Sequence, residues 1–259
     1  MIELTRQGAT AVLTVHRAEK KNAFTEAMWR GLLAHCQQVA AEGQDDPSGA
    51  PRVLLLQGQP GVFCAGADIE EMQSLVRDTQ TLATNNAVVK QAQLALENLP
   101  LPTVAVIDGP CFGGGFGIAA ACDFRIGSTR CLFAITPARL GLLYSLEDTR
   151  RVVALVGAAR AKRLLMRGER LDANTALSWG VLDELVAPEL LAKTAQRWAE
   201  ELAAQSATSQ AGIKATIGLI TGNGHLDEPQ VRAAFDAAFK GRDFAEGTAA
   251  FLQRRAPKF

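Results

Sequence analysis

Two glycine-bearing turns are the part of this sequence best suited to chemistry. In GPCFGGGFGIAAACD, from Gly109 to Asp123, Gly113, Gly114 and Gly115 stand together and Gly117 follows, directly before a small apolar run that reads as a buried helix. Glycines reach backbone angles that other residues avoid and let a ligand approach the main chain. The helix start behind them offers unpaired N–H groups and the positive end of a dipole. Such a turn can hold an anion, or an oxygen that becomes anionic in a transition state. It can equally serve only close helix–strand packing. A phosphate loop of the form GxxxxGK[ST] is absent, and Ile118 breaks the GxGxxG spacing of a dinucleotide site. A second turn, GVFCAGADIEEM, also follows an apolar strand and leads into a helix. An oxyanion hole often takes two backbone donors from separate segments, and turns carrying Gly66 and Gly114 can supply one each.

The elements that must position these turns read as α/β. IELTRQ and AVLTVH alternate apolar and polar residues around Gly8, as two short strands do. Thr25 reads as an N-cap before EAMWRGLLAHCQQVAAE, which has helical spacing, and GQDDPSGAP reads as a loop. RVLLLQG and TVAVIDG are apolar runs that suit buried strands, and DFRIGS is strand-like. Helices are expected over roughly 146–167 and 173–179, and from Pro188 onward with breaks near Ser206 and Gly222. Strand–loop–helix order predicts largely parallel strands.

With 259 residues, 48% of them hydrophobic and 21% charged, the chain can bury a sizeable core. Its 27 basic residues balance 27 acidic ones, which argues against a nucleic-acid partner. No apolar stretch suits a membrane span and the first residues do not read as a secretory signal, so the expected location is cytoplasmic. The five cysteines, Cys36, Cys64, Cys111, Cys122 and Cys131, form no CxxC, and His16, His35 and His225 lie far apart. Reduced structural thiols and no metal site are expected.

FCAGADIEEM and GPCFGGGFGIAAACDFRI together resemble the enoyl-CoA hydratase/isomerase, or crotonase, superfamily. HRAEKKNAFTEAM is similar to its CoA-binding loop and following helix, GERLDANTALSWGVLDELV to the stretch that ends its core, and EGTAAFLQRRAPKF to its C-terminal helix. The resemblance implies a crotonase-like spiral of ββα turns over 1–187 that binds acyl-CoA, and a helical C-terminal trimerisation region over 188–259. A homotrimer or a dimer of trimers is implied, with an acyl-CoA thioester as the partner and no cofactor beyond the coenzyme A of that substrate. The N–H groups of Ala67 and Gly114 would hold the thioester carbonyl and stabilise an enolate. The adenine would lie against Ala65, Asp68 and Ile69, with Lys20, Lys21 and Ala23 lining the CoA site. Asp68 can instead cap the helix that begins at Ile69, and the lysines can be a solvated turn.

The sequence departs from the family where hydratases carry two glutamates. The first position is Gly117 and the second is Pro137, and neither residue can move a proton. Simple hydration is therefore not expected. The oxyanion donors can still support chemistry through an enolate, and decarboxylation of a malonyl-type thioester needs no carboxylate base to begin, so a lyase or isomerase acting on acyl-CoA is expected. FAITPARLGLLYSLED resembles methylmalonyl-CoA decarboxylases, in which a tyrosine at the position of Tyr144 contacts the substrate carboxylate. Tyr144 can alternatively be a half-buried aromatic with a satisfied hydroxyl. Ser145 stands where some isomerases carry an aspartate, or caps the next helix with Asp148. Glu147 and Asp148 replace the lost acids, or simply complement that helix dipole. Arg139 pairs with a substrate carboxylate or lies on the surface, and Phe116 is among the side chains that shape the pocket. A non-catalytic acyl-CoA binder is the competing class. A serine hydrolase would need a nucleophile such as GxSxG provides, which is absent.

Overall fold

The computed structural model describes residues 1–45 and 49–259, so positions 46–48 of the loop expected over 43–51 lie outside the described residues. β1 (Ile2–Gln7) and β2 (Thr10–Val15) form an antiparallel hairpin, with Gly8 at φ +59° in its turn. α1 (Glu26–Asp45) leads to β3 (Val53–Gly58), and α2 (Ile69–Leu75) and α3 (Thr79–Glu97) follow. Next come β4 (Thr103–Ile107), β5 (Pro110–Phe112) and α4 (Gly114–Ala121). β6 (Phe124–Ser128), β7 (Leu132–Ala134) and α5 (Leu146–Arg167) repeat that order. β8 (Arg170–Asp172), α6 (Ala173–Ser178) and β9 (Glu184–Val186) complete the strands. α7 (Leu191–Ala203), α8 (Ala207–Thr221), α9 (Glu228–Ala238) and α10 (Arg242–Gln253) end the chain.

The strands fall into two sheets, a large one in the order β1-β2-β3-β4-β6-β9 and a small one in the order β5-β7-β8. The large sheet is parallel from β2 onward, as strand–helix alternation predicts. Each turn of the chain enters the large sheet, then the small one, then a helix. β4, β5 and α4 make one turn, and β6, β7 and α5 the next. β3, a bridge from Cys64 to Cys111, and α2 with α3 make the turn before them. The result is the expected spiral of strand–strand–helix units.

Period-two alternation divides the large sheet into two buried faces. Leu13, Leu54, Leu56 and Ala105 point into the main core, to which α1, α3, α4, α5 and α6 contribute. Val12, Val53, Leu55, Val104 and Val106 point the other way, onto Leu191, Ala195 and Ala199 of α7. Burial on both faces explains why RVLLLQG reads as a continuous apolar run. α7, the first helix after position 187, thus packs on the sheet of the core. α8 and α9 bury no residue and α10 only Ala250, while Ile213, Ile217, Phe235, Phe239 and Phe251 stay exposed. Inside α5 the helix breaks at Gly157, where φ is +74°. Among the described residues no helix is long and apolar enough to cross a membrane, and no group of His, Cys, Asp or Glu is arranged to hold a metal.

Candidate active site

The two glycine-bearing turns meet. In the first, Phe24 N–H donates to the Gly66 carbonyl at 2.8 Å and Asp68 N–H donates to the Phe24 carbonyl at 2.9 Å. Extended backbone alternates its polar groups, so Ala67 N–H points away from that pairing. It faces the second turn, where a Cβ placed on Gly114 would lie 3.6 Å from Ala67 N. Gly114 opens α4, and its preceding Gly113 sits at φ +48° with no side-chain cap. Among the described residues neither the Ala67 nor the Gly114 N–H meets an acceptor. Both residues line one cavity of about 150 Å³, with Phe24 and Trp29 on one wall and Gln93 and Asp148 on another. A wider open groove of about 360 Å³ lies beside α1 and includes Met1, Arg17 and Met28, but neither turn reaches it.

The glycines of the run have separate duties. The positive φ of Gly113 aims Gly114 N–H at the cavity. A Cβ on Gly115 would come within 2.5 Å of the Cys64 carbonyl oxygen, so this glycine lets helix and strand touch. A Cβ on Gly117 would come within 2.6 Å of both Asp148 Oδ1 and Gln93 Nε2. The other end of α4 is held by protein: Arg125 Nη1 donates to the Cys122 carbonyl at 2.8 Å. A cation at the C-terminus satisfies the negative end of the dipole and leaves the positive end open to the cavity.

The first turn is anchored by charge. Asp68 caps α2, accepting from Glu70 N at 3.0 Å and Glu71 N at 3.2 Å, and pairs with Arg17 Nη2 at 2.7 Å. The Arg17 guanidinium and these N–H donors hold its carboxyl below the ordinary range. Arg17 also donates to the Ala23 carbonyl at 2.8 Å, and Ala65 N–H to the Lys21 carbonyl at 2.9 Å. Lys20, Lys21, Ala23, Ala65, Asp68 and Ile69 are thereby brought together in one cluster around Arg17, next to Ala67 but not lining the cavity itself. Lys20 pairs with Glu70 in solvent, and Ile69 is exposed. Asn22, which the sequence does not single out, pins this loop. It is fully buried at φ +55°, accepts from Arg17 N at 2.8 Å and donates to the Val62 carbonyl at 2.9 Å.

The stretch after β7 is distributed differently. Tyr144 donates its hydroxyl to the Gly113 carbonyl at 3.0 Å, and burial pushes its pKa up. Its proton steadies the second turn. Ser145 caps α5, its Oγ accepting from Asp148 N at 3.0 Å and donating to Asp148 Oδ2 at 2.9 Å. Arg139 donates to the Gly168 carbonyl at 3.1 Å and does not line the cavity. Phe116 packs edge-to-face on Phe133 in the core, with 1% of its surface exposed, and does not line it either. Glu147 is tied to Lys90 at 2.6 Å. Asp148 does reach the cavity. Burial raises its pKa against the pull of Arg151, whose Nη1 lies 3.0 Å from Oδ1. The five cysteines are buried and free, and desolvation pushes Cys36, Cys64, Cys122 and Cys131 up to about 12. Thiols in that state are not nucleophiles at neutral pH.

The profile of the enoyl-CoA hydratase/isomerase family matches residues 5–259. An enoyl-CoA isomerase/hydratase of Mycosarcoma maydis is 31% identical over 260 residues, covering 95% of this chain and 91% of its own. A trans-2-decenoyl-[acyl-carrier-protein] isomerase of Streptococcus mutans is 30% identical over 253 residues, covering 96% of this chain and 94% of its own. In three dimensions the chain superposes on an enoyl-CoA hydratase/isomerase family protein from Hyphomonas neptunium with a TM-score of 0.90 and 34% identity, over 100% of this chain and 97% of that one.

Proposed function

The chain belongs to the enoyl-CoA hydratase/isomerase family, and from that premise we propose that it converts an acyl-CoA thioester through an enolate held between the Ala67 and Gly114 N–H groups. The observation that carries this reading is the pair of unpaired donors, from two separate turns, on one cavity. A thioester carbonyl seated there gains more from both donors as charge moves onto its oxygen, which is what lowers a barrier. Removing one such donor typically lowers kcat by about 10²–10³-fold. The cluster that joins Lys20, Lys21 and Ala23 to Ala65, Asp68 and Ile69 takes the coenzyme A portion, and no further cofactor takes part.

Gly117 and Pro137 hold no proton-moving side chain, so hydration by paired glutamates is not the reaction. Isomerisation through the enolate fits better. Decarboxylation with Tyr144 on a substrate carboxylate has less support, because the Tyr144 proton is given to Gly113. The exposed apolar faces of α8 to α10 support assembly into a homotrimer or a dimer of trimers, since a free monomer rarely leaves such faces wet.

The test is to incubate the protein with 2-enoyl-, 3-enoyl-, 3-hydroxyacyl- and malonyl-type CoA thioesters and follow masses and proton NMR spectra. The expected outcome is a change at the acyl α- or β-carbon with the thioester intact. Failure of every ester to bind would overturn the reading. Release of free CoA would point to hydrolysis instead.

A further inference from the structure

Resting on that reading, we propose that Asp148 is the catalytic carboxylate of this site, carrying the proton to and from the acyl α-carbon across the space left open by Gly117. Three observations meet there. Asp148 lines the same cavity as Ala67 and Gly114. Its Oδ1 occupies the place toward which a side chain at position 117 would grow, 2.6 Å from the Cβ that Gly117 lacks. Arg151 and Ser145 each take one of its roughly four acceptor positions and the Gln93 amide lies beside a third, so lone-pair capacity remains.

The surroundings are built to hold that carboxylate in place. Arg151 donates to Asp148 Oδ1 at 3.0 Å and to Gln93 Oε1 at 3.3 Å, and is itself gripped by Glu97 of α3. Gln93 is 2% exposed and lines the cavity, and its Nε2 lies beside Asp148, on whose carboxylate the amide acts, without a tight hydrogen bond of its own. An amide donor so placed favours the charged carboxylate. Arg151 keeps the carboxylate from being lost to neutralisation, while burial keeps it basic enough to accept a proton.

The step balances without a co-reactant. The α C–H bond breaks, its electron pair moves into the thioester as enolate charge between the two N–H groups, and the proton goes to Asp148. With a 3-enoyl ester the proton returns to the γ-carbon, the carbonyl re-forms and the double bond moves to the 2,3 position. One carboxylate suffices, as it must where Gly117 and Pro137 offer none.

The experiment is α-proton exchange in D₂O with trans-3-hexenoyl-CoA, read by mass and NMR, beside calorimetric binding of hexanoyl-CoA. Wild type is expected to take up deuterium and shift the double bond. Asp148→Asn should bind hexanoyl-CoA like wild type yet exchange at least about 100-fold more slowly. Asp148→Glu, which keeps the charge if the amide disturbs folding, should retain exchange but move the acid limb of the pH profile. A purely structural Asp148 would leave that limb in place. The groups around Asp148 that bear on the profile are Arg151, Glu97 and Lys90, with Glu71 across the cavity and Tyr144 before α5. Exchange at the wild-type rate in Asp148→Asn, or none in a wild type that binds the ester, overturns the assignment. Failure of wild type to bind hexanoyl-CoA overturns the acyl-CoA reading itself.

Discussion

The turn at Gly66 and the turn at Gly113 face each other across the cavity and are built by opposite means. The first is fastened by ions: Asp68 caps α2 and pairs with Arg17, which in turn holds the Ala23 carbonyl. The second has no charge in its backbone turn and no cap on α4, and it is fastened by fit against Cys64. A capping carboxylate on the second turn would compete with a ligand for the positive end of α4. Leaving that end bare requires the turn to be held by close packing, which glycine allows at these distances, and by uncharged hydrogen bonds such as that from Tyr144 to the Gly113 carbonyl. The carboxylates follow the same division. Asp68 is stabilised in its charged form, whereas burial opposes the charge on Asp148.

The contrast breaks most sharply at two adjacent glycines. Gly115→Ala forces a methyl to within 2.5 Å of the Cys64 carbonyl oxygen and should destabilise by about 1–3 kcal/mol or more. Gly114→Ala meets nothing closer than Trp29 at 3.5 Å and should melt close to wild type. Equal losses in thermal denaturation would mean that the second turn is not held by fit.

Asp68 is the corresponding weak point of the first turn. Asp68→Ala should cost about 0.5–2 kcal/mol of urea-measured stability through the lost cap. The pH dependence separates the two carboxylates by sign. The folded pKa of Asp68 is depressed, so its contribution is full above the unfolded carboxylate pKa and falls away as pH drops through the folded value. The folded pKa of Asp148 is raised, so its contribution is present below the unfolded value and disappears as pH rises through the folded one. Melting curves across the acid range should therefore flatten in Asp68→Asn and steepen in Asp148→Asn. Parallel profiles would erase the distinction.

The smallest effect belongs to the hydroxyl that joins the loop before α5 to the second turn. Tyr144→Phe removes one hydrogen bond to the Gly113 carbonyl and should cost about 1 kcal/mol by chemical denaturation. No change in stability would show that packing alone already fixes Gly113.

Much of this was legible in the sequence. The apolar runs became strands, and both turns fell where a glycine follows a strand and precedes a helix. Asp68 and Ser145 took the capping positions that their spacing allows. α3 was not legible, and the reason is instructive. Its inner face carries Asn85 and Gln93 among apolar residues, which breaks the stripe that marks a core helix. Both residues line the cavity, so the feature that hid the helix is the one that serves the site. β5, β7 and β8 span three residues each, too few for a period to show. The meeting of Asp148 with Gly117 was invisible for another reason. It joins positions 31 apart through a helix start and a helix interior, and a first-turn acid looks the same whether it faces water or a cavity.

The buried thiols have a practical consequence. Because every cysteine is shielded and four are held near pKa 12, an alkylating reagent finds almost no thiolate while the chain is folded. Each sulfur becomes reactive only when its own neighbourhood opens. Cys36 sits in α1, Cys64 and Cys111 where the two turns touch, Cys122 at the end of α4, and Cys131 between the sheets. The natural sequence thus carries five timers, and peptide mapping after a brief pulse of label would give the order in which the molecule comes apart.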